Sequence, residues 1–447
     1  MTISNVLQNV AAKCFLGSTL AVRETHLPND WKRESWFLAL TATTTPDFNE
    51  RVTTVKLFRQ HRGWLHVPRF FGWLALGTGV SSVQDVRQFG VSMGEGVAFT
   101  GTLLPHQVEA TRAVLTEPSD GGLVVLPCGF GKTVCALYVA AQRGRRTLVL
   151  VHTESLVNQW MERTTAFLTG ATVGRLQQDV VETDRDVVVA LIQSLCRRDY
   201  DLTSFGMVVV DEAHHVAAPW FMTALHKVHC RFVLGLSATP DRKDGLGHVL
   251  PWLLGPEVYR AARSPRTMET RVVVHKMVPR NTDEVYTKWG KLNLSTMLTN
   301  LTSCPSRNAQ VVDIVRHLVD DGRHVLVLSC RRHQLETLSR DVDRENGLVM
   351  GGTCSDTRDR AFASCRLLFS TYSYASEGLD IPRLDTLVMA SPGSNLEQTI
   401  GRVLRPFPGK QCAYVIDLYD TYSIFNGMFR KRLKFYKQNN YMCCYVE

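Results

Sequence analysis

The sequence predicts an α/β protein made of two tandem parallel-sheet lobes behind an N-terminal accessory domain containing β structure. Three observations carry this. Short β-branched, continuously apolar runs alternate with helix-length polar segments in two successive sets, and continuous apolarity is what a parallel sheet covered on both faces demands. A glycine-rich turn, LPCGFGKT at 126–133, joins a strand-like run to a helix-like one. Before residue 100 the pattern changes to short runs punctuated by Gly and Pro.

The first set of strands reads as 122–126 (GLVVL), Thr147–His152, Asp186–Ile192, Met207–Asp211 and Phe232–Leu236, with a helix over Thr133–Ala141. After Pro251 the periodicity weakens through Arg, Thr and Asn, and it resumes near Asn308 with NAQVVDIVRHLVDDG. The second set reads as His324–Ser329, Gly347–Met350, Leu367–Thr371, Thr386–Ala390 and Ala413–Leu418, with no phosphate loop of its own. The expected domains are 1–100 (accessory), 101–260 (first lobe), 261–305 (linker or insertion), 306–420 (second lobe) and 421–447 (a basic, aromatic tail). Two lobes sharing one nucleotide loop imply a ligand at their interface. In the accessory domain, Trp64, Phe70, Phe71 and Trp73 read first as core and second as base-stacking residues.

A length of 447 residues accommodates about three domains at roughly 150 residues each. The excess of 51 basic over 42 acidic residues, a net +9 with pI near 9.0, favours a polyanionic partner. Twelve scattered cysteines with no CxxC pair point to reduced thiols in an intracellular, reducing compartment and away from a zinc ribbon. His226, His229 and Cys230 read as a surface helix with incidental imidazoles rather than a metal cluster. Neither a membrane-spanning run nor an export signal is legible, so neither a membrane nor secretion is expected.

The chemistry begins at the loop. Gly129 and Gly131 let the backbone around Cys128 and Phe130 approach a triphosphate, Lys132 neutralises charge, and the Thr133 hydroxyl suits Mg2+. Leu126 stands where the full eight-residue pattern has its first Gly. Downstream, Asp211 and Glu212 follow four apolar residues, Met207–Val210, which set both carboxylates at a strand end beside the loop. Asp211 is then the candidate Mg2+ ligand and Glu212 the residue that orients the attacking water, in an ATP-hydrolysing site.

Reading onward, the chain gives LLPHQ (103–107), PCGFGKT (127–133), VHTESLVNQW (151–160), ALIQSL (190–195), DEAHH (211–215), SATP (237–240), STYSYASEGLDIP (370–382) and EQTIGRVLRP (397–406). This ordered series resembles the superfamily 2 helicases and translocases across roughly residues 100–420, and DEAH with SATP and QTIGRVLR looks like the XPB-like branch. HVPRFFG ahead of that core is similar to helicases of large DNA viruses and phages. The resemblance implies two RecA-like lobes, ATP and Mg2+ as cofactors, and a DNA partner with single-stranded or branched regions. It places Gln398, Arg402 and Arg405 on one helix face as catalytic residues, the arginines as fingers toward the γ-phosphate. It brings Gly378 and Asp380 to the nucleotide from the second lobe and makes Gln107 the adenine reader. Nucleic-acid contacts fall at strand C-terminal ends, on His152, Thr153, Gln193, Ser194, Ser329, Arg331, Ser370 and Thr371. Hydroxyls of this kind contact phosphates without reading bases. The run Phe429–Lys437 (FRKRLKFYK) reads first as a solvated helix face and second as an auxiliary DNA contact. Alongside a DNA helicase acting in repair, replication or transcription, two readings stay open: an RNA helicase, and a nucleic-acid-stimulated ATPase that remodels complexes without separating strands.

Overall fold

A computed structural model of the chain describes residues 14–27, 29–44, 54–71, 83–127, 129–215, 219–238, 245–261, 269–277, 283–378, 381–393, 400, 407, 410 and 412–446. The chain divides into two compact units, Met1–Arg263 and Ser264–Glu447.

The main sheet of the first unit has the spatial order Val180–Val181, Val173–Gln177, Val187–Leu191, Thr147–Val151, Met207–Val210, Phe232–Ser237, Gly121–Val125 and Glu257–Arg260. Every pairing in it is parallel except that of the outermost strand, Val180–Val181. The reason for the unbroken apolar runs is visible in the packing: Leu148, Leu150, Val188 and Ala190 enter one core cluster, whereas Val149, Val151, Val187 and Val189 enter the other. Helix Lys132–Arg143 starts at left-handed Gly131 and stops at left-handed Gly144, so glycines set both of its ends. Because the strands are parallel, the loops at 127–133, 152–153, 192–193 and 211–215 all leave from one edge.

The N-terminal segment forms a smaller sheet in the order Arg59–His61, Trp64–Pro68, Thr19–Arg23, Cys14–Leu16 and Gln84–Asp85. Its Leu16, Leu20, Leu65 and Val67 share one core cluster with Leu148 and Val188 of the main sheet. Docking occurs at the opposite edge from the loops. The buried Arg69 guanidinium donates to the carbonyls of Cys230 (2.8 Å) and Arg231 (3.3 Å), which immediately precede strand Phe232–Ser237. Arg231 in turn pairs with Asp120 at 2.8 Å, just ahead of strand Gly121–Val125. Phe70 and Phe71 are buried, the latter edge-on to Trp252 at 4.8 Å, and Trp64 is half-buried beneath Arg23, so these rings serve packing. Trp73 lies outside the described residues. The segment read as a surface helix with imidazoles is part of this seam. Cys230 is buried and donates to the Phe205 carbonyl at 3.2 Å, and burial pulls His226 down to about 4.

Gly121 makes the seam sensitive to a single methyl group. A Cβ there would lie 2.0 Å from the Phe70 ring, so Gly121→Ala is expected to destabilise the first unit by about 1–3 kcal/mol. Urea denaturation measures this, and Phe70→Leu in the same chain should recover part of the loss.

The second unit's sheet runs Asn346–Leu348, Leu367–Thr371, Val325–Ser329, Thr386–Met389, Cys412–Asp420, Glu269–Met277 and Met442–Val446, again with parallel pairing. Two of these strands come from segments the sequence set apart. Glu269–Met277 belongs to the expected linker yet pairs along its whole length with Cys412–Asp420, and Met442–Val446 of the expected tail pairs on its other side. Thr270, Val272, Val274 and Met277 are buried while their neighbours are not, and that alternation near a sheet edge leaves no continuous apolar run to detect.

Helix Ser423–Gln438 corrects the reading of the tail as well. Phe425, Phe429, Arg432 and Tyr436 share its buried face, with Phe429 stacked on Tyr419 at 3.9 Å. Arg432 is an internal residue: it makes a two-pronged pair with Asp417 at 2.9 and 2.8 Å, and the Tyr436 hydroxyl donates to the same carboxylate at 2.8 Å. Arg430, Lys431, Lys434 and Lys437 remain on the exposed side.

Candidate nucleotide site and strand-end loops

Parallel order alone sets the acidic turn near the loop, since Met207–Val210 and Gly121–Val125 flank strand Phe232–Ser237 on its two sides. Within the loop, Gly129 (φ +85°) and Gly131 (φ +78°) are left-handed, a conformation that costs glycine nothing. A Cβ on Gly131 would also fall 2.3 Å from Gln107 Nε2. Gln107 is buried and used at both ends: its Oε1 accepts from the Leu104 N–H at 2.9 Å, and its Nε2 donates to the Phe130 carbonyl at 3.1 Å. His106 Nε2 approaches the same carbonyl at 3.1 Å. In this geometry the glutamine clamps the loop to helix Pro105–Thr116. Cys128 lies outside the described residues.

Lys132 Nζ lies 3.9 Å from Glu212 Oε1. Glu212 is reached through a strained turn, because its φ of +46° is the left-handed region where a residue with a side chain is uncommon. Its own N–H donates to Asp211 Oδ1 at 2.9 Å, which helps hold the turn. Asp211 is buried, and Trp160 Nε1 donates to its other oxygen at 2.8 Å. Burial and the neighbouring Glu212 charge push the Asp211 carboxyl above its ordinary range, against the pull of Lys132 and the two N–H donors. His214 Nδ1 stands 3.5 Å from Glu212 Oε2 and 3.5 Å from Ser237 Oγ, so the DEAH and SATP segments meet through one imidazole.

Trp160, His214 and Ser237 are therefore members of this constellation that the sequence reading left unassigned. All three lie inside the motifs VHTESLVNQW, DEAHH and SATP, so the signal was present in the strings. What one string could not give is which side chains face the carboxylates.

The strand-end residues divide in two. In the first unit, His152 and Thr153 follow strand Thr147–Val151, and Gln193 Nε2 donates to the His152 carbonyl at 2.9 Å, linking two loops. Thr153 caps helix Glu154–Phe167 by accepting from the Leu156 N–H. In the second unit, Ser329 and Thr371 are register partners, and Thr371 Oγ1 accepts from the Tyr374 N–H at 3.3 Å. Arg331 reaches Ser295 and Thr299 at 2.8 and 3.2 Å. Ser194, Ser329 and Ser370 are buried, contrary to the expectation of phosphate-facing hydroxyls. Ser194 Oγ accepts from the Gln178 N–H at 3.0 Å, and Ser329 Oγ donates to Gln334 Oε1 at 2.6 Å. Ser194 sits in helix Ile192–Arg197 just past its strand, and Ser329 and Ser370 in the last two residues of theirs, all three buried, which spacing along the chain does not reveal. Gly378 ends helix Tyr372–Gly378, and Asp380, Gln398, Arg402 and Arg405 lie outside the described residues. Among the described residues no helix is long and apolar enough to cross a membrane.

Residues 100–242 match the family described as type III restriction enzyme, res subunit. A protein of Acanthamoeba polyphaga mimivirus named as an ATP-dependent RNA helicase is 29% identical over 403 residues, covering 86% of this chain and 75% of its own. A protein of Escherichia phage T5 named as a helicase is 28% identical over 305 residues, covering 65% and 66%. The solved structure of S. cerevisiae Dbp5 bound to RNA and ADP BeF3 superposes with a TM-score of 0.54 at 14% identity, covering 76% of this chain and 89% of that one, a likeness of fold. By these likenesses the chain is similar to the ATP-hydrolysing superfamily 2 helicases of large DNA viruses and phages, and its parallel-sheet lobes have a RecA-like fold.

Proposed function

We infer that the chain is a motor that couples ATP hydrolysis to movement along, or unwinding of, DNA with single-stranded or branched regions. The observation that carries the ATPase part is the convergence of Lys132, Glu212 and Asp211 beside a loop of left-handed glycines. Positive backbone and side-chain groups there suit the triphosphate, and Gly131 leaves room where any side chain would strike Gln107. Thr133 and Asp211 are hard oxygen donors of the kind Mg2+ prefers, so they would hold the ion. Bound there, Mg2+ would neutralise charge developing on the phosphate oxygens. Glu212 orients the attacking water and accepts its proton at a carboxylate oxygen, while His214 and Ser237 fix the carboxylate's direction. Trp160 holds Asp211 in position.

Arg402 and Arg405 are assigned the transition-state charge, with Gln398 beside them, on the strength of QTIGRVLR. Arg405→Ala is expected to lower kcat about tenfold or more with DNA affinity nearly intact, because the charge is needed chiefly in the transition state. Steady-state ATPase and filter-binding titrations measure the two quantities; lost DNA binding at normal kcat would move Arg405 to the nucleic-acid surface.

For the polymer, His152, Thr153, Gln193, Arg331 and Thr371 remain the proposed contacts. The XPB-like motif series favours DNA, whereas the name of the mimivirus relative favours RNA as a second reading. ATPase rates against matched single-stranded, double-stranded and forked DNA and RNA decide between them, and stimulation by RNA alone would overturn the DNA assignment.

A further inference from the structure

Trp289 is 87% exposed and Tyr286 56% exposed, on a turn that has no packing need for either ring. We propose that Trp289 is a base-stacking residue for single-stranded nucleic acid, assisted by the exposed Lys288 and Lys291 beside it. The inference rests on the nucleic-acid reading above and adds a base contact to the expected backbone contacts.

The turn is held rather than loose. Thr287 N–H donates to the Lys291 carbonyl at 2.7 Å, Gly290 N–H to the Thr287 carbonyl at 3.0 Å, and Asn293 N–H to the Val285 carbonyl at 2.6 Å. Tyr286 and Leu292 form a bridge across it, and Gly290 supplies the left-handed residue at φ +70° with open space around it. Its base is anchored: Val285, Leu292 and Leu294 pack against Met297, Leu298, Leu301 and Phe425. Folding therefore presents the indole outward when an aromatic of this size ordinarily buries 150–250 Å2.

Position narrows the partner. Asn293 caps helix Leu294–Thr302 by accepting from the Thr296 N–H at 3.2 Å. Arg331, two residues beyond strand Val325–Ser329, donates to the Ser295 carbonyl at 2.8 Å and to Thr299 Oγ1 at 3.2 Å. The helix that follows the turn is thus tied to Arg331, at the edge where strand Val325–Ser329 ends. Of the acidic neighbours, Glu284 already accepts from the Tyr286 hydroxyl, and Asp283 lies at the base of the turn. Lysines next to an exposed indole match a polyanion whose bases offer π-faces, and such stacking tolerates any sequence.

The test compares two oligonucleotides of equal length at fixed salt, oligothymidylate and its abasic sugar-phosphate counterpart, by fluorescence anisotropy with the full chain. Wild type is expected to bind the base-bearing strand about tenfold tighter. Trp289→Ala should bring the ratio near one without changing the salt dependence, and Trp289→Phe should retain most of it. An unchanged melting temperature for Trp289→Ala separates lost stacking from misfolding. A wild-type ratio of one, or a ratio that Trp289→Ala does not move, overturns the proposal, and the exposed face then belongs to a protein partner. Affinity for neither strand would instead bring down the nucleic-acid reading itself, and this inference with it.

Discussion

Replacing Glu212 with Gln is expected to cut single-turnover ATP hydrolysis by about a hundredfold or more while leaving ATP affinity close to wild type. Gln keeps the shape of the side chain and its place near His214 and Lys132, but it can no longer take a proton from water. Lys132→Ala should also abolish turnover, by a different route. Its ammonium meets the phosphates in the ground state, so ATP affinity should fall as well, which a fluorescent nucleotide titration reads directly. Retention of more than about a tenth of wild-type hydrolysis by Glu212→Gln would remove it from the water-orienting role. The contrast matters because Lys132 and Glu212 lie within 3.9 Å of each other, and geometry alone does not separate their tasks.

Arg307→Met is expected to destabilise the second unit by about 3–5 kcal/mol, the usual cost of leaving one member of a buried ion pair alone. Arg307 and Asp420 are 1% and 0% exposed and paired through two bonds of 2.8 and 2.9 Å, and Arg307 also donates to the Ala390 carbonyl at 2.6 Å. Gln334 and Asn308 extend the network to Ser329 through bonds of 2.6 and 2.9 Å. Chemical denaturation followed at two probes measures the loss. Replacing both partners, Arg307→Met with Asp420→Leu, should recover much of it, since apolar groups of similar volume leave no unpaired charge. A loss below about 1 kcal/mol for the single variant would mean that water reaches Asp420 when the arginine is absent.

Much of this was legible in one string. Ten strands of the two lobes were readable to within a residue or two because parallel strands covered on both faces must be almost continuously apolar, as Leu148–Val151 and Val187–Leu191 are, whereas Val173–Gln177, Val180–Val181 and Glu257–Arg260 at the sides of the first sheet were missed. Glycines at 129 and 131 and the acidic pair at 211–212 were equally readable, since phosphate chemistry admits few residue types at such spacing. Where a side chain points is different in kind. Only the tertiary structure turned Ser194, Ser329 and Ser370 inward, bent Glu212 into a left-handed turn toward Lys132, and set Trp160 on Asp211. It also drew Glu269–Met277 and Met442–Val446 into the second sheet and Arg432 into its core. The composition of a run is fixed by how many of its faces are buried, which the chain records locally. Partners in a sheet, and the group that satisfies a buried charge, are chosen by contacts between residues far apart in sequence, as the separation of 113 positions from Arg307 to Asp420 illustrates.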